Sequence, residues 1–190
     1  MSKIKGIGLR GAIEWIKKNY GEEGFQKVLD ISPPSLKEEY SNILTSLWYP
    51  SQIADSLFAA FAESGLGGHG LDLDKSFRLL GAFIAEDNLS VLYKVLLVFA
   101  KPSVLLGSLP KIWKMYFDGI DVAVEPTSDG YTGTCRVKGL GDLRYISPVA
   151  AGWLEFLYRK VGVKGIDVHE LNYRIDSPSN DELIYKIWRK

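Results

Sequence analysis

The hydrophobic period of this 190-residue chain changes once, at Gly119. Before it, apolar residues recur every three to four positions, the spacing of one helix face; after it they alternate, the spacing of one face of a strand. A segment with one period does not settle into the other structure. The sequence is therefore expected to form a helical part over 1–118 and a sheet-and-helix part over 119–190, together one domain of the α+β class.

In the helical part, Ile13, Ile16 and Tyr20 make a stripe that stops at Gly21, and Glu22 and Glu23 open a second helix carrying Phe25, Val28 and Leu29 up to Ser32-Pro33-Pro34. Acidic residues in a first turn suit the positive end of the helix dipole. Ser51 is placed as the N-cap of a helix with Ile53, Leu57, Phe58 and Phe61. The loop Gly65–Gly70 follows, and Asp72 or Asp74 starts a helix whose inner face holds Phe77, Leu80, Gly81 and Ile84. Val91–Phe99 is apolar on nearly all sides, so it is expected to be a central helix or the contact of a homodimer. Ser108 is placed as the cap of a short helix, Leu109–Phe117, with Ile112, Trp113, Tyr116 and Phe117 inward.

Beyond Gly119, Ile120, Val122 and Val124 alternate with polar neighbours, Pro126–Gly130 reads as a turn, and Tyr131–Val137 as the returning strand. Ser147-Pro148 opens a helix that puts Val149, Gly152, Trp153, Phe156, Leu157 and Val161 on one face, with Gly162 at its C-terminal stop. Ile166–Ile175 and Leu183–Trp188 make a second hairpin around Asp176–Asn180. The expected product is a helical block followed by a four-stranded antiparallel sheet, built as hairpin, helix, hairpin, with the helix packed on it.

Composition removes several function classes. Hydrophobic residues are 46% and charged residues 24%, a balance that buries a core and excludes disorder. Twenty-three Lys and Arg cancel 23 Asp and Glu, so no nucleic-acid partner and no attraction to an anionic membrane are expected. Lys94, Lys101 and Pro102 interrupt the apolar run Val91–Leu106, which is too short and too polar to span a bilayer, and no targeting segment is visible, so the expected location is the cytoplasm. One cysteine and two histidines exclude a disulfide and a Cys- or His-rich metal centre, which leaves a carboxylate site, a cofactor site or no metal open.

Few local motifs carry chemistry. Gly6-Ile7-Gly8-Leu9-Arg10-Gly11 matches G-x-G-x-x-G, and Asp30 lies at about the right distance beyond it. That motif needs a buried strand before it and a βαβ unit around it. Met1–Lys5 does not read as such a strand, so small residues that let the first helix pack closely are the preferred reading. His69 with Asp72 and Asp74 reads as a turn with acidic caps rather than a metal site, His169 as a half-exposed strand residue, and Cys135 as a small buried hydrophobe. No G-x-S-x-G, H-E-x-x-H or P-loop occurs, so a catalytic role has no positive support.

The segment Leu143-Arg144-Tyr145-Ile146-Ser147-Pro148-Val149-Ala150-Ala151-Gly152-Trp153, its continuation to Gly162, and Ile166-Asp167-Val168 resemble the heme nitric-oxide/oxygen-binding (H-NOX) family and its heme-free relatives, the four-vinyl-reductase-type domains and transport-particle (TRAPP) subunits. The opening, Lys5-Gly6-Ile7 with Ala12-Ile13-Glu14 and Asn19–Glu23, is similar to the H-NOX start. The resemblance implies a helical N-terminal part and a C-terminal antiparallel sheet with a helix on it. It also implies a heme held by a helix histidine and by a Tyr-x-Ser-x-Arg motif. Here Tyr145 and Ser147 match, Val149 stands at the arginine position, and Trp113 stands where the histidine belongs. Guanidinium pairs a carboxylate bidentately and valine cannot; indole does not ligate iron as imidazole does.

The resemblance thus implies a heme-free sensory or scaffolding domain, with no cofactor, that binds an apolar small molecule or a protein partner. Its implied pocket residues are Trp113, Tyr116, Phe117, Tyr145 and Trp153. The alternatives are a heme gas sensor using Tyr93, Tyr116 or His69 as axial ligand, and an enzyme of the same fold.

Overall fold

The computed structural model describes residues 2–88, 102–129, 132–139, 145–171 and 182–189. Within them, helices α1 (Gly6–Ile31), α2 (Pro34–Ser41), α3 (Ser51–Glu63), α4 (Leu71–Asn88) and α5 (Pro102–Trp113) precede the main sheet. That sheet contains β4 (Asp121–Pro126), β5 (Gly133–Lys138), β6 (Ile166–Glu170) and β7 (Glu182–Arg189), and α6 (Ile146–Lys160) crosses between its two hairpins. The strands run in the order β4-β5-β7-β6, all neighbours antiparallel. This is the α+β arrangement that the change of period implies. The helix at Val91–Phe99, with the dimer contact expected there, lies outside the described residues, as does the turn between β6 and β7. No helix among the described residues is long and apolar enough to cross a membrane.

The span of α1 is two helical segments that meet at a kink with non-helical backbone at Gly21 (φ 71°), where the sequence marks a stop. Other local expectations change. Pro50 occupies the N-cap of α3, and Ser51 is its first residue, its hydroxyl bonded instead to that of Ser2 at 2.7 Å. α5 begins at Pro102 rather than after Ser108, so Ser108 and Pro110 lie inside the helix. Proline suits a first helical position and disfavours an interior one. Here the burial of Leu105, Leu106 and Leu109, each at most 1% exposed, outweighs the missing N–H of Pro110. The helix ends at Trp113, and Phe117 lies on a strand, not in the helix expected to contain it.

A second sheet, unforeseen in the sequence, explains that strand. β1 (Lys3–Lys5) is the centre of a three-stranded antiparallel sheet, between β2 (Trp48–Pro50) and β3 (Phe117–Asp118). Ile4 is 4% exposed, so a buried strand does precede the glycine motif. The motif still binds no pyrophosphate in the βαβ manner, because β1 has antiparallel partners on both sides. Moreover, the N–H groups of Gly6 and Ile7 donate to the carbonyls of Leu47 (2.8 Å) and Thr45 (3.1 Å). A helix N-terminus whose donors are satisfied in this way has little left for an anion.

α6 is the organising helix. Its end is a Schellman stop: the N–H of Gly162 donates to Arg159 and that of Val163 to Tyr158. Ser147, Ala151, Leu154 and Tyr158, all fully buried, form one stripe, and the Tyr185 hydroxyl on β7 donates to the Ser147 carbonyl at 3.3 Å. A second stripe meets α4. A Cβ on Gly152 would fall inside the carbonyl oxygen of Arg78, and one on Gly81 inside that of Val149. Gly152 therefore permits close approach to α4, not to the sheet as its position beside Trp153 implies. Glu155, which helical spacing places on the exposed face, is also turned to α4, with its carboxylate 2.8 Å from Arg78.

Candidate functional site

The third stripe of α6, Ile146, Val149, Ala150 and Trp153, forms one wall of a cavity of about 50 Å³. Helix α5 and the turn after it close the opposite side with Trp113 and Tyr116, and β3 adds Phe117. β1 supplies Ile4, α1 Gly8, α3 Phe58 and α4 Ile84. The Trp153 ring meets Trp113 edge-on at 6.4 Å between centroids and Tyr116 at 5.8 Å, and Trp113 lies 5.8 Å from Phe117. Edge-to-face pairing fixes the orientation of such rings and adds about 0.5–1.5 kcal/mol per pair beyond burial.

Four of the five pocket residues named from the sequence, Trp113, Tyr116, Phe117 and Trp153, thus line one cavity from its two sides. Tyr145 does not line it; its ring stacks on Phe77 of α4 at 5.1 Å. Sequence reasoning missed Ile4, Gly8, Ile146 and Ala150. A single apolar residue between two lysines carries no strand signal, and a glycine in a helix carries no pocket signal. Phe58, Ile84 and Val149 were visible as inward-facing residues, but a stripe does not distinguish core from cavity.

The other candidates are placed elsewhere. His69 is exposed in the loop before α4, and Asp74 is committed to Arg78 at 3.0 Å. His169, exposed on β6, lies against Trp188 at 5.6 Å. Cys135 is fully buried, and burial pushes its thiol up to about 12, so at neutral pH it is a protonated, poorly nucleophilic group. Among the described residues no group of three or more His, Cys, Asp or Glu could hold a metal ion.

No protein-family model matches the sequence, and no curated protein matches it. Solved structures do share its fold. A point mutant of the H-NOX protein from K. algicida, in its unliganded Fe(II) form, superposes with a TM-score of 0.74 at 15% identity, covering 98% of this chain and 97% of that one. The H-NOX protein from S. oneidensis in its Fe(II)NO state gives 0.69 at 14% identity, covering 98% and 99%. A point mutant of the T. tengcongensis H-NOX protein gives 0.65 at 16%, covering 98% of each chain. The chain has the H-NOX fold over nearly its whole length.

The described residues of the cavity do not fit a heme. Both positions where the resemblance places heme anchors, Trp113 and Val149, line it, and both are apolar. No described cationic side chain lines it to receive a propionate. Neither histidine lines it, and among its described residues only the Tyr116 phenol is of a type known to ligate heme iron. Pockets that enclose drug-sized ligands run to about 300–1,000 Å³, well above the space present here. Ser147, the matching serine, is fully buried with its hydroxyl unpartnered among the described residues, and it does not line the cavity.

Proposed function

We propose that this chain is a heme-free, non-catalytic sensory or scaffolding domain that takes a small, uncharged, apolar molecule into the cavity between α5 and α6. The observation that carries the reading is the pair Trp113 and Val149, which put apolar side chains into the cavity at the two anchor positions. The pair supports reading the chain with the heme-free relatives of the H-NOX fold. A non-catalytic role is supported by the lining itself. No Asp, Glu, His, Lys, Arg, Ser or Cys is among its described residues, so they offer no acid–base pair or activated nucleophile.

Hemin tests the first part. Protein expressed with hemin is expected to purify colourless, and hemin titrated into it is expected to give no sharp Soret band. A stoichiometric Soret band overturns the reading and favours the second one, a heme sensor ligated by Tyr116, which the position of that phenol in the cavity alone supports. A Tyr116→Phe variant that loses the band would then identify the ligand.

Xenon tests the second part. An apolar cavity lined by aliphatic and aromatic groups stays dry and accepts xenon or a small hydrocarbon. A ¹²⁹Xe resonance that shifts with protein concentration is expected, and its absence counts against an accessible cavity. Gly8 provides the control, because a Cβ there meets only Ile4 side-chain carbons, the nearest at 3.6 Å. Gly8→Ala is expected to stabilise the protein by up to about 1 kcal/mol, the helix-propensity difference, while Gly8→Leu is expected to abolish the xenon shift. Both are read from urea melts and the same resonance.

A further inference from the structure

The face of α6 that meets α4 carries an unbalanced ion cluster. The guanidinium of Arg78 donates from Nε to Asp74 (3.0 Å), from Nη1 to Glu155 (2.8 Å) and to the carbonyl of Val168 (3.1 Å), and from Nη2 to Glu170 (2.5 Å). These partners sit on α4, α6 and β6, so one side chain ties three elements together. One positive charge faces three carboxylates, leaving two negative charges in excess. Water screens Glu170 poorly, at 11% exposed, and Asp74 better, at 37%.

Among the described residues the remaining surroundings do not restore the balance. Arg159 and Asp167 act on Glu155 with opposite signs from α6 and β6. On β7, Tyr185 stands opposite Glu170. His169 and its cross-strand neighbour Lys186 belong to the other face of the sheet by alternation. The second oxygen of Glu170, Oε1, is buried and has no hydrogen-bond partner among the described residues. A buried carboxylate with one bare oxygen beside two other carboxylates favours its neutral form.

We propose that Glu170 is a proton switch: protonated, it lets α4, α6 and β6 close around Arg78, and ionised, it loosens the hold of α4 on α6, the helix that walls the cavity. Burial, the largest cause, raises the Glu170 carboxyl to about 7; Arg78 opposes this and Asp74 and Glu155 add to it. The folded-state value lies above the ordinary 4.5. The stabilisation is therefore complete below about pH 4.5 and is lost as pH rises through 7. The proton switch stands on the cluster alone; its consequence for ligand access rests on the cavity reading above.

Urea melts of the whole chain between pH 5 and 9 test it. Wild type is expected to lose stability as pH rises through 7, with Trp emission changing over the same range. Glu170→Gln, which mimics the neutral acid, is expected to stay folded and to lose most of that slope. His169→Gln is expected to keep it, which separates the switch from titration of the imidazole beside Trp188. A flat wild-type profile, a slope retained in Glu170→Gln, or a slope lost only in His169→Gln would each overturn the proposal. If Glu170→Gln does not fold, carboxyl ¹³C NMR of glutamate-labelled wild type decides: one glutamate titrating near pH 7 supports the switch, and all titrating below 5 sinks it. Absence of xenon uptake at every pH counts against the cavity reading alone, since these melts need no ligand.

Discussion

Replacing Gly152 by alanine is expected to destabilise the protein by about 3 kcal/mol or more, at the upper end of overpacking costs. The added methyl group would collide with the backbone of Arg78, its carbonyl oxygen, carbonyl carbon and Cα. A flexible side chain could turn aside, but the backbone of a hydrogen-bonded helix moves only with the whole of α4. The displacement would also disturb the reciprocal contact of Gly81 with Val149 and the Arg78–Glu155 ion pair. Alanine's better helix propensity returns at most about 1 kcal/mol. For a chain of this length a loss of 3 kcal/mol corresponds to roughly 6–12 °C in Tm. Urea and thermal melts check this against Gly8→Ala, whose Cβ has space. Equal, small effects from the two would mean that α4 and α6 are not in backbone contact.

Trp153→Ala is expected to cost about 3 kcal/mol, the lower end of the range for removing a buried large aromatic. Trp153 is 6% exposed and makes edge-to-face contacts with both Trp113 and Tyr116. Its truncation loses those pairs and enlarges a void. The cost stays at the lower end because one side of the indole already faces the cavity, where partner atoms are fewer. The same variant is expected to gain xenon capacity, since the space vacated is apolar. Lys164→Ala, at an exposed position beyond α6, is expected to change stability by less than about 0.5 kcal/mol. Glu155→Ala is not a neutral control, because Glu155 is one of the Arg78 ligands. A Trp153→Ala midpoint equal to that of Lys164→Ala would show that the indole is not packed as described.

How much of this was legible depended on whether the decisive contact was local. The hairpins β4–β5 and β6–β7 and the stop of α6 at Gly162 follow from neighbours in sequence, and the structure has each of them; the one face expected on α6 is divided between α4 and the cavity. Trp113, Tyr116, Phe117 and Trp153 meet around one cavity because the end of α5, the turn after it and β3 all face α6. Tyr145 does not join them, because one turn of backbone before α6 sends its ring to Phe77 instead. The small sheet was not legible. Lys3-Ile4-Lys5 becomes a strand only because Trp48–Pro50 and Phe117–Asp118 arrive on either side of it.

By itself the sequence determined the order of the two parts, the hairpins of the main sheet and the helix between them, because hydrophobic period and turn residues act over a few positions; it did not reveal α2 or the small sheet of β1, β2 and β3. It also carries Trp113 and Val149, not a histidine and an arginine, at the positions where the resemblance implies heme anchors. Tertiary structure alone decided which helix Gly152 touches, that Arg78 gathers three carboxylates, two of them more than 70 residues away, and that β1, α1 and α3 complete the cavity wall. The physical reason is that a side chain's period records that it is shielded from water, whereas the identity of what shields it depends on how distant elements pack.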